Sequence, residues 1–84
     1  MFHKIQTVRP LPEYGLLVTF QDGKRKTYDV RPLLEKWGAF MALTTTKSLF
    51  ERVKVDDGGY GVRWNDEIDL SCNELYSNGV DIDD

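Results

Sequence analysis

The segment Trp64–Tyr76, which reads WNDEIDLSCNELY, contains the densest group of side chains that could do chemistry. These side chains are one tryptophan, three carboxylates and the only cysteine of the chain: Trp64, Asp66, Glu67, Asp69 and Cys72. A cysteine nucleophile needs a base in contact with its thiol and a third group that orients the base. The only histidine, His3, lies at the other end of the sequence, and the segment offers the thiol no local base. We therefore expect Cys72 to be an inert, partly buried residue and the protein not to be an enzyme.

Metal ions and cofactors have equally little support in the sequence. The acidic runs DDGGYG (residues 56–61) and DIDD (residues 81–84) offer oxygen ligands, but neither has the spacing or the closing glutamate of a calcium loop. A single cysteine can form neither an internal disulfide nor a cysteine-based metal cage. The glycines of the first run lack the Lys-Ser/Thr pair of a phosphate-binding loop. We expect no metal and no cofactor.

Helix-capping signals explain part of the same segment without chemistry. Ser71 and Glu74 have the spacing of a capping box, in which the serine oxygen accepts from the Glu74 amide and the glutamate accepts from the serine amide. A helix should follow, and Asn78-Gly79 should end it.

A short strand is expected before this helix, over residues 67–70. Its alternation points Ile68 and Leu70 inward and leaves Asp69 on the solvent side. Asp69 is then either a solvated strand residue or an acceptor for a donor on a partner.

The clearest structural signal is a β-hairpin in residues 14–30, YGLLVTFQDGKRKTYDV, around Asp22-Gly23. A two-residue loop would mix apolar and charged side chains on one face. A three-residue loop with Gly23 in the left-handed conformation of a bulge avoids this. It pairs Val18 with Lys26 and Phe20 with Lys24, so near the tip a lysine stem lies along apolar surface with its ammonium in water. The apolar residues of the resulting buried face are Tyr14, Leu16, Val18, Phe20, Tyr28 and Val30.

Two further strand regions accompany this hairpin. Residues 4–9 should form a first strand that ends at Pro10 and Pro12 and suits the edge of a sheet. Residues 53–55 and 61–64 should pair in a second hairpin across an Asp-Gly-Gly turn.

Two short helices are expected between the hairpins. In residues 31–40, RPLLEKWGAF, Pro32 is a plausible first helical residue and Gly38 a stop. Further along, Thr45 or Thr46 should be the N-cap of the second helix. The apolar residues that these helices should bury are Leu33, Leu34, Trp37, Leu49 and Phe50.

These elements predict a small α+β domain. We expect a mostly antiparallel sheet of about five or six short strands with two or three short helices, one of them at the C-terminus. A chain of 84 residues has material for one core only, so residues 1–84 should form a single domain, with residues 80–84 as a flexible acidic tail. No stretch approaches the roughly 18 apolar residues of a membrane span, and no secretory signal is present, so we expect a cytoplasmic protein.

Several segments resemble a known family over roughly residues 8–79. They are the hairpin EYGLLVTFQDGKRKTYDV, the segment LFERVKVD and, most specifically, the pattern W-x-x-x-[IV]-D-L-S-x-x-x-L-Y. The pattern is carried by Trp64, Ile68, Asp69, Leu70, Ser71, Leu75 and Tyr76. On these residues the chain resembles the short bacterial proteins of the domain of unknown function 2442 family (DUF2442).

The resemblance implies a small α+β domain, and some members carry an additional C-terminal helix-turn-helix that this chain lacks. Many members are encoded beside another small protein, which implies a paired role, antitoxin-like or regulatory. The family has no established catalytic residues, so none is carried over to this chain.

Charge is divided unevenly along the sequence. Residues 1–54 carry ten Lys/Arg and five Asp/Glu, whereas residues 55–84 carry one and nine. Such a division indicates either a dipolar surface that orients a partner or two halves whose charges mix in space.

Two functions follow from this charge distribution. We favour a protein–protein interaction module for another small protein, bound by an exposed sheet edge and by an acidic surface made of Asp56, Asp57, Asp66, Glu67 and Asp69. The tail carboxylates Asp81, Asp83 and Asp84 would extend that surface. The alternative is a regulatory protein that contacts nucleic-acid phosphates through the basic hairpin tip and a nearby arginine: Lys24, Arg25, Lys26 and Arg31. An acidic pI near 5.0 disfavours the alternative. The sequence does not indicate an oligomeric state.

Overall fold

The hairpin around Asp22-Gly23 forms the centre of the larger of two antiparallel sheets in the computed structural model, which describes residues 3–82. This sheet has the strand order β1-β2-β3-β7. The bounds of its strands are Ile5–Leu11 for β1, Gly15–Phe20 for β2, Arg25–Asp29 for β3 and Val80–Asp81 for β7.

The predicted hairpin register is confirmed. Val18 pairs with Lys26 across β2 and β3, and the Phe20 amide donates to the Lys24 carbonyl at 2.8 Å. Gly23 has a φ of 94°, the left-handed conformation that closes a three-residue loop. The alternation of apolar residues along the two strands was therefore sufficient to specify the loop length.

The smaller sheet has the order β4-β5-β6, with β4 at Lys54–Val55, β5 at Gly61–Arg63 and β6 at Asp69–Ser71. The second predicted hairpin is thus present. Strand β6 begins two residues later than expected, because the Asn65 side chain accepts hydrogen bonds from the amides of Glu67 and Ile68 at 2.8 and 3.0 Å. These bonds hold residues 65–68 in a turn.

Three α-helices accompany the sheets: α1 at Arg31–Lys36, α2 at Ala42–Thr45 and α3 at Cys72–Asn78. A 3₁₀ turn over Gly38–Met41 joins α1 to α2. We call residues 31–45 the helical connection. A second 3₁₀ turn follows at Phe50–Arg52.

Two expectations for the helical residues are wrong. Neither Thr45 nor Thr46 is an N-cap. Thr45 is the last residue of α2, and the N-cap position of the Phe50–Arg52 turn is occupied by Leu49, whose side chain forms no capping hydrogen bond. Trp37 is not a core residue, because α1 ends at Lys36 and Trp37 adopts extended backbone with φ −122° and ψ 123°. Leu33, Leu49 and Phe50 are buried as predicted, and Leu34 is partly buried against the core.

The core lies between the sheets and the helices. Helix α3 contacts β3 of the larger sheet and β5 and β6 of the smaller one, so it joins the two sheets. Leu75 of α3 is fully buried. The α+β class is confirmed: residues 3–82 contain seven strands in two sheets, where a single sheet of five or six strands was expected.

The C-terminal residues depart from the expected flexible tail. Val80–Asp81 form β7 and pair with Thr27 and Lys26 of β3. Asp83 and Asp84 lie outside the described residues. No helix in the described part of the chain is long and apolar enough to cross a bilayer.

Gly61 offers a test of how closely β5, the central strand of the smaller sheet, approaches its neighbour β6. A Cβ at Gly61 would lie 2.5 Å from the Leu70 carbonyl oxygen, whereas a Cβ at Gly38 would have no atom within 4 Å. We expect Gly61→Ala to lower the free energy of unfolding by about 1–3 kcal/mol, because backbone must move to admit the methyl group. Gly38→Ala should change it by less than about 0.5 kcal/mol. Urea denaturation of both variants measures the difference, and equal stabilities would contradict this packing.

Candidate functional site

The segment Trp64–Tyr76 has a structural role. Trp64 is 5% exposed, and its indole N–H donates to the Phe50 carbonyl oxygen at 3.0 Å. The Ser71 hydroxyl accepts from the Glu74 amide at 3.1 Å, which confirms the predicted N-cap. Both hydrogen bonds serve the fold.

Glu74 does not complete the predicted capping box. Its Oε2 accepts from the Tyr28 hydroxyl at 2.8 Å and from the Asn78 side-chain amide at 3.0 Å. The carboxylate therefore joins α3 to β3 instead of bonding to the serine amide. Burial, reinforced by the bond to the Glu74 carboxylate, raises the pKa of the Tyr28 phenol above its ordinary range.

Cys72 is the first residue of α3, and its side chain is buried, with the residue 1% exposed. Its Sγ lies 3.9 Å from Oδ1 of the adjacent Asn73, and no other hydrogen-bond partner is present among residues 3–82. The His3 ring stacks on Tyr76, with 3.5 Å between ring centroids. Across the described residues, no group of three or more His, Cys, Asp or Glu side chains is arranged to hold a metal ion.

The predicted acidic surface is divided between the two ends of β5. Asp56 and Asp57 lie in the connection before β5, and Asp66 and Glu67 lie in the turn after it. Because β5 has three residues, the two groups are separated by about 10 Å of strand. Asp69 is exposed at the second end, opposite Arg63 in the β5–β6 register.

Two of these carboxylates already have partners. Oδ1 of Asp56 accepts from the amides of Tyr60 and Gly61 at 2.9 and 3.1 Å, which stabilises the turn. Asp66 forms an ion pair with Arg63. Asp57, Glu67 and Asp69 remain as exposed carboxylates at the surface.

The predicted basic hairpin does not present its four cations together. Lys26 is 8% exposed, and its ammonium lies 2.9 Å from Asp81 Oδ1 and 4.5 Å from the centre of the Tyr76 ring. This ion pair lowers the pKa of the Asp81 carboxyl, the largest cause being the hydrogen bond from Lys26. The pair also joins the basic half of the sequence to its acidic half, so the two halves mix in space.

Arg31 is likewise engaged, at the other end of β3 from the hairpin tip. Its guanidinium donates two bonds to the Asp29 carboxylate, from Nε at 3.0 Å to Oδ1 and from Nη2 at 3.0 Å to Oδ2. These bonds lower the pKa of Asp29. Lys24 and Arg25 are exposed at the tip.

An exposed apolar surface on the helical connection was not predicted from the sequence. Trp37 is 47% exposed and Met41 is 50% exposed, and Leu34 is partly buried. Contiguous apolar patches are uncommon on monomeric surfaces, and tryptophan and methionine are enriched where proteins bind one another. The signal was present in RPLLEKWGAF, where Gly38 directly after Trp37 indicated that the helix stops too early to turn the indole inward.

Two adjoining grooves open beside this surface. The first, of about 590 Å³, lies between the β1–β2 connection and the segment from Leu43 to Glu51. The second, of about 700 Å³, lies between residues 29–35 and the end of the helical connection, where Met41 lines it. Tyr14 and Thr44 line both grooves. We call the two grooves together the trough.

The trough contains unusual backbone. Within residues 3–82, three non-glycine residues have positive φ: Glu13 at 62°, Tyr14 at 62° and Ser48 at 63°. All three line the first groove. Such conformations cost of order 1–3 kcal/mol each and concentrate at binding sites, where surrounding contacts maintain them.

A series of ring contacts supports the trough from beneath. Tyr14 meets Phe50 edge-on at 5.2 Å, and Phe50 meets Trp64 at 5.8 Å. Trp64 contacts Phe40 at 6.0 Å, and Phe40 contacts Trp37 at 5.6 Å. The rings thus form a continuous path from the β1–β2 connection through the core to the exposed indole.

These observations define a small α+β domain with an exposed apolar helical connection and an open trough, built on a two-sheet core. The family described as "Protein of unknown function (DUF2442)" matches residues 5–81, nearly the whole chain, and the chain belongs to this family. The resemblance seen in the sequence is confirmed. Comparisons with curated proteins and with solved structures gave no match.

Ser48 tests whether the backbone of the first groove is strained. Glycine adopts positive φ without the steric cost of a side chain, so Ser48→Gly should raise the free energy of unfolding by about 0.5–1 kcal/mol after the entropic cost of glycine is subtracted. Ser48→Ala keeps the strain and should bring no gain. Chemical denaturation of both variants distinguishes them, and equal stabilities would show that Ser48 is not strained.

The Tyr28–Glu74 bond predicts a pH dependence of stability. The folded protein holds the phenol proton more tightly than the unfolded chain, whose tyrosine pKa is near 10, so the bond contributes fully below about pH 10. That contribution is lost as the pH rises through the raised pKa of the folded state. Tyr28→Phe should lower stability at neutral pH by about 1–2 kcal/mol, and this difference should shrink at strongly alkaline pH.

The matched control is Tyr14→Phe, since the Tyr14 hydroxyl has no hydrogen bond within the described part of the chain. Urea unfolding at neutral and alkaline pH measures both variants. A Tyr28→Phe effect that does not change with pH would contradict the assignment.

Proposed function

We propose that this chain is a protein–protein interaction module that binds another small protein through the trough and the exposed residues of the helical connection. A gene adjacent to the one that encodes this chain is the first place to look for the partner. In this proposal the protein is not an enzyme, acts in the cytoplasm and has a regulatory or antitoxin-like role in a pair.

The observation that carries the proposal is the exposure of Trp37 and Met41 on one short connection. Both side chains are about half exposed, although the core beneath them is well packed. Tryptophan is among the residues that most often dominate binding energy, because its burial removes a large apolar area from water at little entropic cost. The ring contact between Trp37 and Phe40 holds the indole in place before a partner arrives.

Docking on this surface is better supported than addition of a partner strand to a sheet edge. The larger sheet has β1 and β7 at its edges. Strand β1 has an irregular register between Ile5 and Thr7 and contains Pro10, which cannot donate a backbone hydrogen bond. Strand β7 has only two residues. Short, bulged and proline-containing edges discourage pairing with another chain.

The nucleic-acid alternative has weaker support. It needs Lys24, Arg25, Lys26 and Arg31 to be available for phosphates, but the ammonium of Lys26 and the guanidinium of Arg31 are held by Asp81 and Asp29. Each cation that is already neutralised contributes little to counterion release and so to affinity.

Variant-dependent capture tests the proposed function. The tagged full chain is expressed in the cells that encode it, and the proteins bound to wild type are compared with those bound to Met41→Glu and Trp37→Ser. We expect one small protein to be recovered with wild type and to be reduced about tenfold by either substitution, because a charge or a missing ring at the contact costs over 1 kcal/mol. The recovered protein is then purified, and its binding to each variant is measured by calorimetry.

The control variants are Asp57→Lys and Glu67→Lys, which alter exposed carboxylates on the smaller sheet. They should retain the partner if the trough is the binding surface. Loss of the partner only in these two variants would assign binding to the acidic surface instead. No dependence on any of the four substitutions would contradict the proposal.

A further inference from the structure

We propose that the trough recognises a partner segment in which an apolar anchor is flanked by lysine or arginine side chains. This inference rests on the proposed function and specifies the chemistry of the partner at that same surface.

The rim of the trough carries carboxylates that the protein does not neutralise. Glu13 and Glu51 line the first groove and Glu35 lines the second. Neither Glu35 nor Glu51 forms an ion pair with any residue between 3 and 82. Glu13, whose side chain is 80% exposed, has only a 3.8 Å contact with Arg31.

The cations of the trough do not offset these charges. Arg31 lines the second groove, but its hydrogen bonds go to Asp29, so this pair is close to neutral. Lys47 is the other cationic side chain among the lining residues. Three carboxylates against one free ammonium leave the rim with a net charge of about −2, which favours a cationic partner and disfavours a phosphate or an acidic peptide.

The floor of the trough is apolar. Leu43 and Phe50, both buried core residues, lie beneath the first groove, and Leu34 and Met41 line the second. A groove of this kind accepts an apolar side chain, and an unbranched thioether such as that of Met41 adapts to its shape. An acidic rim around an apolar floor is complementary to a segment whose apolar anchor has cationic neighbours.

The trough is also formed before binding. Tyr14, which lines both grooves, is held by its left-handed backbone and by the edge-on contact with the Phe50 ring. A surface that is already ordered loses little conformational entropy when a segment docks, so a short peptide is a suitable probe.

The probe is a short capped peptide in which a pair of leucines is flanked on both sides by lysines. Two matched peptides replace the lysines with glutamates or the leucines with serines. Binding to the full chain is followed by backbone amide shifts in NMR at low and at high salt.

The lysine–leucine peptide should shift the amides of Tyr14, Met41 and Thr44, and its binding should weaken with salt. Both matched peptides should bind at least about tenfold more weakly than the lysine–leucine peptide. The combined variant Glu13→Lys, Glu35→Lys and Glu51→Lys should reduce binding by about the same factor. The control variant with Asp57→Lys, Glu67→Lys and Asp69→Lys changes charge equally on the smaller sheet and should retain binding at the trough.

Three results would overturn the inference: no binding of the lysine–leucine peptide, equal binding of the lysine and glutamate peptides, or shifts confined to the smaller sheet. These failures are distinguishable from failure of the proposed function. If Met41→Glu abolishes binding of the native partner while the peptide does not bind, the interaction function stands and the cationic chemistry is wrong. If the native partner binds regardless of Met41, the proposed function itself is wrong.

Discussion

The hydrogen bond from the Trp64 indole to the Phe50 carbonyl is the contact on which the arrangement of this protein most depends. Trp64 directly follows β5 of the smaller sheet, and Phe50 begins the turn that follows the helical connection. A buried indole N–H without an acceptor costs about 1–3 kcal/mol, so the bond requires these two parts of the chain to meet in one register. The indole ring also contacts both Phe40 and Phe50. The hydrogen bond and the ring packing therefore favour the same position of the Trp64 side chain.

This constraint explains how a small domain can expose apolar residues without losing order. The rings that contact Trp64 lead outward, through Phe50 to Tyr14 and through Phe40 to Trp37. Edge-on and tilted aromatic pairs contribute about 0.5–1.5 kcal/mol each beyond the area that they bury. The outer rings of this series, Tyr14 and Trp37, are therefore held in place by the buried rings between them. The aromatic contacts that stabilise the core also order the candidate binding surface.

Patterns within a few residues of sequence predicted most of the local structure. Alternation of apolar residues was enough for the β2–β3 register, and the loop length followed from it, including the left-handed Gly23. The Ser71 cap was predictable because it joins residues three positions apart. The pairing of Lys26 with Val18 also followed from the register, although the ammonium was expected in water and is held by Asp81.

Contacts between distant residues could not be predicted in this way. The acceptor for the Tyr28 hydroxyl is Glu74, on the last helix, and a capping rule assigned that carboxylate to a local amide instead. The partner of Lys26 is Asp81, in a segment whose acidic composition suggested disorder. The candidate site escaped prediction for a similar reason, since the left-handed backbone of Glu13, Tyr14 and Ser48 is imposed by tertiary contacts and not by residue type.

The pairing of β3 with β7 also affects the order in which the chain can fold. Strands β1 to β3 are synthesised before α3 and β7, the helix and the strand that cover their apolar face and their open edge. A nascent β1–β3 meander therefore remains uncovered until residues 72–81 have been added, and such intermediates are prone to aggregation. The bulge in β1 and the charged tip of the β2–β3 hairpin are features that discourage pairing with another chain, so we expect them to matter most before α3 and β7 are in place.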